Sequence, residues 1–412
     1  MHAIASDEEG TSVRSLVLAL LALACGHMLS TLLRTIPAVS LDLMAADFHL
    51  EPQALASLTS IYPFAFAAAQ IPVGAAMDRF GVRPVSLSLL GGTVIGSVVA
   101  GFASGPASFA LGQLLLGVST SGMLMCPMTL AAKNLSAARF GLWSGAILSI
   151  GNIGMLLSSS PLALVIDQYG WRAGFWISAA AGILVAFAVL AFVPNQSAEH
   201  KDSSTPLAQM VAVLRLGLSR PLRGLIALAL VSLATSLVLR GVWAGPWLMD
   251  VKGLSRVEAG NQLGAFTLAM IAGPLCIGMI DRKLGRRREL VASTHMIAAF
   301  LLGLMAFGAP HYPVSALFGV AVMPPQYDLA LFVLIGLATS AQPLLFGMSR
   351  QLVDAQTAGK ALAAINLAFF LGAALVQSIT GAVAAFAGLP AVLLFMAAAL
   401  LSGASVFLLY TR

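Results

Sequence analysis

Apolar runs of roughly twenty residues recur along almost the whole chain, and no other feature limits its fold so tightly. A run of this length crosses about 30 Å of hydrocarbon as a helix. Twelve can be drawn, at 15–39, 53–77, 84–104, 106–132, 140–166 and 173–193, then at 222–248, 257–280, 289–309, 328–348, 360–384 and 389–410. Lipid offers no water to unpaired backbone groups, so such runs form helices or a closed barrel. Their length and weak two-residue alternation exclude the barrel. Only 9% of the residues are charged and 59% are hydrophobic, a composition far from that of soluble domains. The 39 glycines suit a bilayer, where small residues let helix backbones approach. The expected fold is therefore an all-α membrane protein of twelve transmembrane helices.

The chain divides in two. Residues 194–221 form the one long polar stretch, which reads as a cytoplasmic linker with a short amphipathic helix near 207–217. This leaves a polar tail at 1–14, a six-helix bundle at 15–193 and a second at 222–412. Asp7, Glu8 and Glu9 open the chain, whereas a cleavable signal peptide has a basic start; the first run is expected to remain as a span. With the N-terminus inside, 17 of the 22 lysines and arginines fall on the cytoplasmic side, and the outer loops take only Arg172, Lys252 and Arg256. The positive-inside rule then places both termini in the cytoplasm of a cell whose inner membrane holds the protein. That distribution also accounts for the net charge of +6, so no nucleic-acid partner is expected. Cys25, Cys126 and Cys276 lie in apolar runs without ligand spacing, which argues against disulfides and metal.

The two remaining cations are Arg34 and Arg240, each late in the first span of its half and 206 residues apart. A short charged motif follows each. The first copy contains Gly74, Asp78, Arg79, Gly81 and Arg83; the second contains Gly278, Asp281, Arg282 and Gly285. The aspartates are 203 residues apart and the leading glycines 204, so the halves are a duplication. An aspartate can accept from a neighbouring helix N-terminus and the arginines can bind acids or lipid phosphates, which makes the motif a latch between helices. The bland alternative is a topogenic charge cluster. For the arginine pair the alternatives are snorkelling to the interface and an anion trap in a polar cavity, since burying arginine is costly and its fork suits carboxylate or phosphate.

Twelve spans in six-plus-six form, the central polar stretch and the duplicated motif resemble the major facilitator superfamily of transporters. Gly74, Asp78, Arg79, Gly81 and Arg83 are similar to that family's loop motif, and Gly170-Trp171-Arg172 with Phe175 resembles its signature before span six. Within the superfamily, Arg34, Arg240 and the Gly-Val-Trp243-Ala-Gly-Pro246 stretch resemble the organophosphate and organic-anion carriers. There the paired arginines hold the cargo's anionic group. The chain departs from them at Gln70, where they carry lysine, and at Met155, near where they carry histidine. Gln113 also stands in place of the superfamily's usual span-four arginine.

Other polar residues inside spans are His27, Tyr62, Gln70, Asn152, Asn366 and Gln377. His27 shares a helix face with Arg34 and titrates near neutrality, so it either carries a coupling proton or is a hydrogen-bonded bundle residue. Asn152 and Asn366 lie in spans five and eleven, which line the cavity in the resembled fold. Trp243 either stacks on cargo or belongs to an aromatic belt. No nucleophile–base pair, phosphate loop or metal cluster is visible, so neither catalysis nor a cofactor is expected. The expected function is secondary transport of a small organic anion (a carboxylate, a phosphate ester or a zwitterion) by a monomer, by alternating access, through exchange or proton symport. A proton-driven multidrug or metabolite exporter is the alternative.

Overall fold

The computed structural model describes residues 2–195, 206–354 and 357–411. Residues 196–205 of the linker, and Lys201 and Arg412 among the counted cations, lie outside them. Regular structure among the described residues is entirely helical. Eleven helices are long and apolar enough to cross a membrane. Spans one to six are Arg14–Val39, Pro52–Phe80, Val82–Gly101, Pro106–Asn134, Leu142–Tyr169 and Arg172–Phe192. Spans seven to ten are Arg223–Val251, Arg256–Leu284, Arg287–Phe307 and Pro325–Gln351. The last helix, Ala358–Tyr410, holds spans eleven and twelve, because Gly388 breaks it with φ 76° and ψ 178° just before Pro390. A short helix, Pro206–Gly217, precedes span seven.

Several spans are interrupted. Span five breaks at Ser158 and Ser159, just before Pro161, which has no N–H to continue the ladder. Span seven widens into π-helix at Leu239–Trp243 and again at Trp247–Val251. Such insertions reorient side chains and leave carbonyls available to other donors. Arg240 sits inside the first.

The two bundles share an apolar core at one end, and their contact thins toward the other. At the shared end a single apolar cluster crosses between them, joining Val39, Leu41 and Phe48 to Trp243, Leu248 and Leu263. Toward the end bearing Asp78 and Asp281 the cores separate. Leu20, Met77 and Leu130 belong to one cluster, and Leu225, Leu345 and Phe407 to another. We call these the joined end and the basic end. Burial of apolar surface, at roughly 25 cal/mol per Å², therefore favours closure at the joined end.

Candidate functional site

Arg256 locks the joined end. It begins span eight, yet its guanidinium reaches three groups of the N-terminal bundle: Asp42 at 2.7 Å, Asp167 at 2.9 Å and the Val39 carbonyl. Nearby, Arg172 pairs with Asp47, which also accepts from Trp171 Nε1 at 2.8 Å. Burial alone would raise the Asp42 carboxyl, but the hydrogen bond and charge of Arg256 hold it below its ordinary 3.8. A carboxyl lowered in this way contributes its full stabilisation above 3.8 and loses it as pH falls through the lowered value. The lock should thus be unaffected by pH from neutrality down to about 5, and weaken only in stronger acid. Part-exposed pairs contribute about 0.2–1 kcal/mol each, so Arg256→Ala should favour the parted state by between twofold and about thirtyfold. Thiol labelling of a cysteine introduced at the buried Ser40 position measures this. Unchanged labelling in the variant would show that the lock carries no weight.

Spans two and eleven run antiparallel along the boundary between bundles, in one continuous register. Gln377 donates to Thr59 at 2.7 Å and Ser378 to Ser60 at 2.8 Å. Farther toward the basic end, Phe66 meets Phe370 with ring centroids 4.1 Å apart. Beyond them Asn366 donates to Gln70. Between the hydroxyl contacts and the ring pair lies a cavity of about 20 Å³, lined by Arg34, Tyr62, Gln113, Leu237, Phe370 and Gln377 among others. That is room for about one water. Cargo enters only if the bundles part.

Arg34 is the charged residue of this lining. Its guanidinium is half-buried, donates to Ser30 Oγ at 3.1 Å, and lies 5.3 and 5.4 Å from the centres of Phe66 and Phe370. No carboxylate pairs with it among the described residues. Tyr62 approaches from span two and bonds Thr120 at 2.5 Å.

Arg240 is placed differently from its repeat partner. It is fully buried and does not line the cavity. The break in span five frees the Met155 carbonyl, and Arg240 Nη2 donates to it at 2.7 Å and to Ser159 at 3.1 Å. Its Nε donates to Thr267 at 2.9 Å, while Nη1 has no hydrogen-bond partner among the described residues. Hydroxyls tie Arg240 to span one at Thr35, the residue after Arg34: Ser158 lies 2.6 Å from Thr35 and 3.4 Å from Arg240. Neither arginine snorkels out to a headgroup layer in this arrangement.

His27 is buried against Gly151, and its Nδ1 has no hydrogen-bond partner among the described residues. Asn152 is half-buried on span five. Asn366 is taken by Gln70 across the seam. Trp243 is buried rather than set in a belt, its indole N–H donating to Thr380 at 2.9 Å. The duplicated motifs each stay within their own bundle. Asp281 receives Arg287 at 2.6 Å, and Arg282 bonds the Gly278 carbonyl at 3.2 Å before the turn at Gly285, with φ 62°. In the first copy Asp78 and Arg79 are exposed beyond Gly74, Gly81 turns the chain with φ 85°, and Arg83 donates to the Leu190 carbonyl at 2.7 Å. The cores are apart at this end, so among the described residues the motifs make no bond between bundles.

Sequence reasoning did not single out Phe66, Phe370, Thr59 or Arg256. Aromatic and hydroxyl residues are common in spans, and Arg256 reads as an ordinary loop cation. Asp328 and His295, near span ends, are both fully buried, Asp328 against Lys252 at 3.0 Å and His295 against Ser232 at 2.6 Å. The loops and neighbouring helices fold over them.

A family model for the Major Facilitator Superfamily matches residues 23–324. The chain is 26% identical over 348 residues to a tetracenomycin C resistance and export protein of Streptomyces glaucescens, covering 70% of this chain and 63% of that one. It is 25% identical to a fosmidomycin resistance protein of Escherichia coli (strain K12), with 71% of each chain covered. A putative niacin/nicotinamide transporter of Bacillus subtilis (strain 168) is 22% identical over 60% of this chain and 61% of its own. The matches thus span little more than three-fifths of the first of these relatives. Among solved structures, a POT family transporter superposes with a TM-score of 0.79 over 96% of both chains at 12% identity. A nucleoside transporter superposes with 0.75 over 97% of this chain and 100% of its own, at 13% identity. Identities this low speak for the fold alone, and every one of these proteins is named as a transporter or a resistance protein. With the family model covering most of the chain, and twelve spans in two bundles around a seam cavity, the chain belongs to the Major Facilitator Superfamily.

Proposed function

We propose that this transporter carries a small organic anion across a cell membrane by alternating access, with Arg34 holding the anionic group. One observation carries the reading: a guanidinium without a carboxylate partner lines the cavity between the bundles. A half-buried charge without a counter-ion has lost part of its hydration, and an entering anion offsets that cost. Arg240 is held off the cavity by Thr267, Met155 and Ser159, so the charge that meets the cargo is that of Arg34. Relief of charge on binding lowers the barrier to rocking, so exchange needs no further group. A proton symport cycle would use His27. By the positive-inside rule the basic end faces the cytoplasm, so parting there releases or admits cargo on the inner side.

The second reading is a proton-driven exporter of drugs or metabolites, favoured by two of the relatives, one named for resistance and export and the other for resistance. Proteoliposome flux separates the two. An anion panel, with and without a pH gradient, should give saturable anion flux. Arg34→Ala, inserted normally, should raise half-saturation about ten- to a hundredfold, the worth of one charge-assisted bond. Saturable flux of cations alone, or anion flux indifferent to Arg34→Ala, sinks the anion assignment.

A further inference from the structure

We infer that the cargo is a planar aromatic monoanion, its ring received between Phe66 and Phe370 and its charge by Arg34. This rests on the anion reading above and narrows it to a chemical class. Phe66 belongs to span two and Phe370 to span eleven, so their contact joins the bundles. Among the described residues it is the one ring pair that does so. The rings are 35° from parallel, an open wedge rather than an edge-on contact. Arg34 lies at nearly the same distance from both. Tyr62, one turn before Phe66 on span two and itself in the cavity lining, is near-parallel to it at 6.2 Å and 22°.

Two requirements follow. The ring centroids are 4.1 Å apart and the cavity beside them holds about 20 Å³, so cargo must separate the rings, and a flat ring slid between them replaces the contact it breaks with two of the same kind. A saturated ring of similar size fills the space but lacks the π faces that stack and that face the guanidinium. The cavity lining also offers one cation and no acid. A monoanion is neutralised there, whereas a dianion leaves a buried excess charge. A cargo gripped by one ring from each bundle would also draw the bundles together as it binds.

Uptake of labelled benzoate into proteoliposomes tests this, with cyclohexanecarboxylate and phthalate as competitors. Benzoate should compete about three- to tenfold better than cyclohexanecarboxylate, the expected worth of one aromatic pair, and phthalate should compete poorly. Phe66→Leu and Phe370→Leu should each flatten the preference for the aromatic ring while cyclohexanecarboxylate still competes. Protection of the wild-type protein by benzoate against thermal unfolding in detergent gives the same ranking without a variant. Saturable anion flux with no preference between the two monocarboxylates would overturn this inference and leave the anion reading intact. No anion flux in the wild-type protein would overturn both.

Discussion

Lys252→Ala should destabilise the protein by about 3–5 kcal/mol, among the largest losses available to a single side chain here. The side chains of Lys252 and Asp328 are both wholly inaccessible and 3.0 Å apart. Lys252 also donates to the carbonyls of Gly308 and Met323 at 3.1 and 3.0 Å. Asp328 accepts from the Trp247 indole at 2.8 Å. Removing the ammonium leaves a carboxylate with one neutral donor in a dry surrounding, and the missing carbonyl partners add to the loss. Asp328→Ala should do comparable harm by stranding the ammonium. The double variant Lys252→Met with Asp328→Leu should recover most of the stability, since an apolar pair of similar volume frequently matches a buried ion pair. Thermal unfolding of the two single variants and the double in detergent decides it. A double variant as unstable as the sum of its parts would mean the pair is not the source of the cost.

Gly245→Val should shift the protein toward a form parted at the joined end. Gly245 lies on span seven directly against the Ala38 carbonyl of the opposite bundle, so close that any β-carbon would collide with backbone. Backbone cannot rotate away as a flexible side chain can. Overpacking of this kind typically costs about 1–3 kcal/mol, here only in the joined state, which corresponds to a shift of roughly five- to 150-fold toward the parted one. Ser40 is completely buried at that end. A Ser40→Cys reporter, with Cys25, Cys126 and Cys276 replaced by serine, should label much faster in the Gly245→Val background. Transport should fall with it, because a cycle needs both states. Equal labelling in both backgrounds would show that the collision is absorbed locally.

The duplication of the two halves was legible from spacing alone, but their equivalence was not. Arg34 and Arg240 occupy matched positions in sequence, yet only Arg34 lines the cavity. The difference lies in span five, where the break at Ser158 offers Met155's carbonyl to Arg240. The π-helical widening at Leu239–Trp243 surrounds Arg240 in span seven, while span one meets it with unbroken helix up to Thr35. Likewise the charged motifs read as latches, and in the joined form that work falls to Arg256, whose partners Asp42 and Asp167 come from a short helix after span one and from the end of span five.

What the amino-acid order alone determined was the number of spans, the two halves, the superfamily and the two unusual arginines. These follow from properties read along one dimension: the length of an apolar run against the thickness of hydrocarbon, and the cost of a charge within it. Only the tertiary structure decided that Arg34 is unpaired at a cavity, that Phe66 meets Phe370, and that Lys252 finds Asp328. The last two join residues 304 and 76 positions apart. Their meeting depends on which helix faces touch when two bundles close, and no local periodicity encodes that.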